Sequence, residues 1–270
     1  MDVLAYRLRP GPLALAHRGG AGLAAENTLD AFGRAYALGI RYLETDVRLT
    51  ADGELVAFHD RRVDRVTGLR GRVGRFPLAT LAATPVLGGG CVLPLAEVFA
   101  AFPDACFTVD VKEAAAVEPL ARLLLDTRAA DRVCAAASHG SWLRELRERT
   151  GPAITTALPW RALAQLASPR AFGHDGSAAF AHVPLRLGRV PVFRENLVAR
   201  AHDAGIRVVV WTVDDADTMH RLLDRGVDGI ITDRPDVLRE VLVGRGQWQA
   251  PTSLRRETPD ERDAATDPLG

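Results

Sequence analysis

Short apolar runs alternate along most of the chain with stretches whose apolar positions fall three or four residues apart, a pattern of buried strands separated by helices packed on them. The first run, Leu13 to His17, leads into Gly19, Gly20 and Gly22 and places Leu13, Leu15 and His17 on one face. Asn27, with Asp30 three residues on, is expected to cap a helix carrying Leu29, Phe32 and Tyr36 and ending at Gly39. In the next strand, Arg41 to Val47, Tyr42, Glu44 and Asp46 alternate with Leu43, Thr45 and Val47, so both carboxylates face the same way. A third run, Glu54 to Phe58, follows the turn signal Asp52-Gly53 and closes on His59 and Asp60. An Asp-Gly turn favours an antiparallel hairpin, which would carry His59 away from Glu44 and Asp46 if these lie near the end of their strand. A loop returning to the other end of the strand layer keeps the groups together and is the expected path.

From about residue 61 to 105 the rhythm breaks. Prolines recur at Pro77, Pro85 and Pro94, three glycines stand together at Gly88 to Gly90, and basic residues cluster between Arg61 and Arg75. This segment reads as an insertion with short elements, its basic cluster a solvated face. Alternation resumes with strands expected at Cys106 to Lys112, Arg132 to Ser138, Ile154 to Leu158, Ala179 to Leu185, Ile206 to Val213 and Gly229 to Thr232. About nine candidate strands with intervening helices favour a TIM (β/α)8 barrel with a small inserted subdomain, one candidate lying outside the barrel. A doubly wound open sheet is the runner-up, weakened because no GxGxxG or GxxxxGK[ST] follows a strand. One domain is expected over residues 1–243, followed by a polar tail, 244–270, expected to be disordered.

Composition narrows the function. Lys plus Arg and Asp plus Glu both number 34, so no net field favours nucleic acid or an anionic membrane. Cys91, Cys106 and Cys134 form no CxxC pair and read as small core residues. Without a long uninterrupted apolar stretch, the chain is expected to be cytoplasmic and not to insert stably in a membrane.

In a barrel the C-terminal ends of the strands meet at one mouth, which would gather His17, Glu44, Asp46, His59, Asp110 and Lys112. Three carboxylates at one site repel each other unless a cation intervenes, and their oxygens suit one divalent ion, Mg²⁺ or Ca²⁺. Two histidines fit a general acid and base, while Arg18 and Lys112 suit an anionic substrate. Together these groups point to phosphoester cleavage. Singly, each has a plainer reading as a loop histidine, a solvated carboxylate or, for Trp211, a core residue.

The ordered series His17-Arg18-Gly19, Ala25-Glu26-Asn27-Thr28, Glu44-Thr45-Asp46-Val47, Asp52-Gly53, His59-Asp60, Trp211-Thr212-Val213 and Gly229 to Asp233 closely resembles the glycerophosphodiester phosphodiesterase family. So does LPLAEVF at Leu93 to Phe99. The resemblance runs from about His17 to Val243, excluding much of the insertion. It implies hydrolysis of a small glycerophosphodiester to sn-glycerol 3-phosphate and an alcohol. His17 and His59 would be the acid/base pair, and Glu44, Asp46 and Asp110 the ligands of Mg²⁺ or Ca²⁺. Arg18 and Lys112 would bind phosphate, and Trp211 would pack on the glycerol portion. Ala25 stands where the family has Pro, Asp110 where it usually has Glu, and Asp214 where it often has Asn, with Asp214 expected to cap the following helix. Two alternatives are a lysophospholipase D acting on lipids and a binding barrel without catalysis.

Overall fold

A computed structural model describes residues 6–7, 10–168, 172 and 176–250. Its strands in chain order are β1 (Leu13–Ala16), β2 (Tyr42–Leu49), β3 (Leu55–Ala57), β4 (Cys106–Val111), β5 (Val133–Ala137), β6 (Thr155–Thr156), β7 (Phe180–Pro184), β8 (Arg186–Leu187), β9 (Val190–Pro191), β10 (Arg207–Trp211) and β11 (Gly229–Thr232). The helices are α1 (Leu29–Ala37), α2 (Leu78–Ala82), α3 (Leu95–Ala101), α4 (Val117–Asp126), α5 (Gly140–Thr150), α6 (Trp160–Ala167), α7 (Glu195–Asp203), α8 (Ala216–Asp224) and α9 (Pro235–Gly244). Eight strands run parallel in the order β6-β5-β4-β2-β1-β11-β10-β7. A parallel bridge between Ala157 and Phe180 brings the two ends of this sheet together into a nearly closed barrel. A helix follows each barrel strand, so the expected TIM barrel is the fold.

Alternation along the strands sorts side chains into two layers. Ala14, Ala16, Leu43, Val109, Val111, Ala181, Val208 and Val210 face the helices and join one large core with residues such as Phe32, Leu120 and Leu222. Leu13, Leu15, Tyr42, Cys106, Cys134, Ala157, Phe180, Val209 and Ile231 fill the barrel's interior. Cys106 and Cys134 are therefore the small core residues their spacing suggested. At the bottom, Tyr6 is fully buried and meets the rings of Tyr42 and Phe180 edge-on, at 5.0 and 5.3 Å between centroids. Its hydroxyl shares a 2.6 Å hydrogen bond with that of Thr108.

β3 is the candidate strand outside the barrel, and its path differs from the expected one. It pairs antiparallel with β2, with Val47 opposite Ala57 and Leu49 opposite Leu55, so Asp52-Gly53 makes the hairpin after all. His59 still reaches the mouth because β2 runs on past Asp46 to Leu49 and the hairpin folds back along that extension. Phe58 N–H then donates to the Asp46 carbonyl at 2.9 Å, leaving His59 beside the acids.

The insertion has its own small core of Val56, Phe58, Val63, Val66, Val73, Leu81, Val86 and Val92. It ends before the expected boundary at 105, because Leu95, Val98 and Phe99 of α3 belong to the barrel core. Thr28, not Asn27, caps α1, accepting from Ala31 N–H at 3.3 Å. The Asn27 side-chain oxygen is already taken by the Thr45 hydroxyl at 2.8 Å. Asp215, not Asp214, caps α8, while Asp214 accepts from the Thr232 hydroxyl and the Asp233 N–H. Residues 245–250 include Gln247 and Trp248, whose N–H groups bond to the Leu242 carbonyl, so this part of the expected tail is folded. The remainder, 251–270, lies outside the described residues.

Candidate active site

At the C-terminal ends of the strands lies a cavity of about 300 Å³ whose walls include His17, Arg18, Glu44, Asp46, His59, Asp110, Lys112 and Trp211. The structure thus brings together every residue given a catalytic, metal-binding or substrate-binding role from the sequence.

β2 and β4 lie in register, with Asp46 beside Asp110 and Glu44 beside Thr108, so the three carboxylates share the inner face. Lys112 Nζ spans two of them, 2.8 Å from Asp46 and 2.6 Å from Asp110. Arg18, in the loop after β1, adopts a left-handed backbone (φ 49°) that turns its N–H onto Glu44 at 2.8 Å. That loop is packed against the one after β11, where Gly22 N–H donates to the Asp233 carbonyl at 2.8 Å. A Cβ on Gly22 would fall 2.6 Å from that same oxygen, so only glycine allows the approach.

The closeness of the two loops brings Asp233 to His17, with Nδ1 and Oδ1 2.7 Å apart, while His17 Nε2 lies 4.0 Å from Glu44. His59 is held by Asp60 at 2.7 Å. A further chain of contacts joins the two histidine loops. Arg65, from the insertion, reaches Asp60 at 2.6 Å and both oxygens of Glu26 at 2.7 and 2.8 Å. Glu26 in turn receives Arg18 Nη1 at 3.0 Å. The basic cluster is therefore not solely a solvated face, since Arg65 links the insertion to the mouth.

Burial acts on these groups in opposite directions. It disfavours a charged His17, but the Asp233 hydrogen bond and the Glu44 charge outweigh it and raise the pKa above the ordinary value. For His59 burial prevails over the pull of Asp46 and Asp60, and the pKa is lowered. Burial, reinforced by the Asp46 charge, lifts Glu44 to about 7. Burial also raises Asp110 despite Lys112 beside it. On Asp46 burial is overcome by Lys112, His59 and Arg18, so its carboxyl stays below the usual range. The ammonium of Lys112 is favoured by Asp110 and Asp46 in spite of its burial.

Among the described residues no three His, Cys, Asp or Glu side chains are already drawn into a metal site. The donor set nevertheless fits a hard cation. Asp46 Oδ2 is buried without a hydrogen-bond partner, with Arg18 Nε standing off at 3.5 Å, and the raised Glu44 records negative charge that Lys112 leaves uncompensated.

The rest of the wall is neutral. It comprises Ala136, Ala137 and Ser138 after β5, Ala157 and Leu158 at β6, Trp160 and Leu163 of α6, His182 of β7, and Trp211 and Thr212 at the end of β10. Trp160 and Trp211 meet nearly edge-on at 6.4 Å between centroids. Asp233, Glu26, Arg65, Trp160 and His182 did not figure among the residues picked from the sequence. Asp233 closes the Gly229 to Asp233 motif, and Glu26 lies inside another matched motif, so these two carried a signal.

A parallel barrel whose mouth joins two histidines, three acids and two cations defines a class of phosphoester-directed TIM barrels. The model of the glycerophosphoryl diester phosphodiesterase family matches residues 17–237, and the chain belongs to that family. It is 39% identical over 250 residues to a probable glycerophosphodiester phosphodiesterase 2 of Mycobacterium tuberculosis, covering 88% of this chain and 93% of the relative. A lysophospholipase D of Homo sapiens is 25% identical over 272 residues, covering 84% and 85% of the two chains. Among solved structures, a phosphodiesterase of Oleispira antarctica in complex with the product sn-glycerol-3-phosphate aligns with a TM-score of 0.74 at 22% identity, covering 86% of this chain and 97% of that one.

Proposed function

We propose that the protein hydrolyses glycerophosphodiesters to sn-glycerol 3-phosphate and an alcohol. The observation that carries this reading is the convergence, at one barrel mouth, of two oppositely tuned histidines with Arg18 and Lys112, in a chain of this family. The name of the Mycobacterium tuberculosis relative and the product held by the Oleispira antarctica structure support the same substrate class.

In this mechanism a hydroxyl, from water or from the substrate's own glycerol, attacks phosphorus as the bond to the departing alcohol oxygen breaks. His59, kept neutral by burial, accepts the proton of the attacking hydroxyl. His17, whose protonated form Asp233 and Glu44 favour, delivers a proton to the leaving alkoxide. Arg18 and Lys112 bear on the phosphate oxygens, and Trp211 packs against the glycerol portion. Glu44, Asp46 and Asp110 would hold one Mg²⁺ or Ca²⁺, whose charge would offset that of the phosphate and polarise a phosphoryl oxygen.

Of the large exposed apolar side chains among the described residues, Trp160 alone lines the cavity, which offers little surface for a lysolipid tail. Glycerophosphodiesters are therefore preferred to lysophospholipids. Release of glycerol 3-phosphate from glycerophosphocholine and glycerophosphoethanolamine, set against release of lysophosphatidic acid from lysophosphatidylcholine, tests the reading directly. Binding without release, with either metal supplied, would leave only a binding barrel.

A further inference from the structure

One polar group at the mouth has no place in this mechanism. His182 stands on β7, two residues beyond Phe180 and on the same inner face. Phe180 belongs to the packed interior, and its ring lies 6.2 Å from the imidazole, so His182 forms the next layer up, at the floor of the cavity. Across the ladder it is paired with Val209 of β10. Trp211, two residues further along β10, is its diagonal neighbour on the same face.

The imidazole makes no hydrogen bond among the described residues: Nε2 is buried, and Nδ1, which is not shut off in that way, is the nitrogen left open where the half-buried ring lines the cavity. Valine or leucine would fill this layer at no such cost, whereas an unpartnered ring nitrogen forfeits the hydrogen bonds it made to water. A ring nitrogen without a protein partner, in a wall that lines a cavity, is open to a hydrogen bond with a bound ligand. Burial holds the pKa down at about 4, so near neutrality the ring is uncharged and its open nitrogen gives or accepts one hydrogen bond, according to the tautomer. A hydroxyl is the matching group, since it can accept that hydrogen bond or give it. Phosphate is better served by Arg18 and Lys112 on the opposite wall.

Depth identifies which hydroxyl. Trp160 is 40% exposed at the rim, so the outer part of the neutral wall opens to solvent and can receive alcohols of different shapes. The floor meets the part of the substrate that enters first. We propose that His182 is a substrate-binding, specificity-determining residue that exchanges a hydrogen bond with a hydroxyl of the substrate's glycerol portion, seating it beside Trp211. This deepens the phosphodiesterase reading and rests on it.

The test compares wild type, His182→Leu and His182→Gln for calorimetric binding of sn-glycerol 3-phosphate and of phosphocholine, which lacks the glycerol hydroxyls. His182→Leu is expected to weaken glycerol 3-phosphate about 10-fold or more and to leave phosphocholine unchanged, with His182→Gln restoring part of the loss. Because the two ligands are compared within each variant, a smaller folded fraction moves both together. Equal weakening of both ligands, or none for glycerol 3-phosphate, would overturn the assignment. Glycerol 3-phosphate release from glycerophosphocholine is measured on the same wild-type protein. If none occurs, the phosphodiesterase reading falls, while the binding comparison still decides the role of His182.

Discussion

The side of the mouth built by β1, β2 and β4 carries His17, Arg18, Glu44, Asp46, Asp110 and Lys112, whereas the side built by β5, β6 and β7 carries Ala136, Ala157, Leu158 and His182. On the first side the charged groups are tied to one another: Lys112 to two aspartates, Arg18 to Glu26, and each histidine to its own aspartate. On the second side the described residues show no ion pair, and the surface is neutral, with aromatic and aliphatic groups, Ser138 and one imidazole that has no protein partner. The difference separates two tasks that compete in a small cavity. Charges act strongly on a reacting phosphate only if they are fixed beforehand and poorly hydrated. Recognition of an uncharged polyol needs shape and a few unsatisfied polar atoms. Placing the tasks on opposite walls lets each be met without disturbing the other.

The sharpest way to break this comparison is to remove divalent cations. EDTA is expected to reduce glycerol 3-phosphate release to background, and Mg²⁺ or Ca²⁺ to restore it; activity that survives chelation would remove the assigned role of Glu44, Asp46 and Asp110. Next in size, His59→Ala or His17→Ala should lower kcat by about 100-fold or more, measured on protein whose circular dichroism matches wild type. The Arg65 tie is worth less, since Arg65 touches only groups that hold Arg18 and His59. Arg65→Ala is expected to lower kcat about 10-fold with KM little changed, and Arg65→Lys, which keeps the charge but loses the fork, to recover part of it.

The pH profile separates the two histidines. His17 is raised above its ordinary value and His59 lowered below its own, so kcat/KM should fall on the acid side as His59 gains a proton and on the alkaline side as His17 loses one. Asp233→Asn weakens the main interaction that raises His17, and the alkaline limb should move to lower pH. An unmoved alkaline limb would detach it from His17. The smallest effect belongs to the neutral wall, where Trp160→Ala should raise KM about 3-fold for bulky alcohols and leave kcat unchanged.

Strand positions and the charged wall were legible because both rest on short-range regularities. The alternation that puts Glu44 and Asp46 on one face is a property of any strand, and the order of the barrel follows once the helices are counted. The path to His59 was misjudged because alternation says nothing about how far β2 runs beyond its acids. Asp214 and Asn27 were given the wrong partners for a related reason: each had a competing acceptor role across the fold, toward Thr232 and Thr45. Arg65 looked like one of several surface arginines, since its ties to Glu26 lie 39 residues away in sequence. His182 sits in the run AAFAHVPL next to Pro184, where a lone histidine carries no periodic signal, and only its missing partners mark it out.

Tyr6 closes the barrel from below. With its ring wedged against Tyr42 and Phe180 and its hydroxyl on Thr108, a residue that itself lines the cavity, the lower end of the barrel is stoppered directly beneath the floor of the site. With that end closed, substrate enters and both products leave at the mouth formed by the C-terminal ends of the strands. Glycerol 3-phosphate should accordingly compete with incoming diester, and trimming the chain past Tyr6 would uncover the packed layer of Tyr42 and Phe180 to water from below.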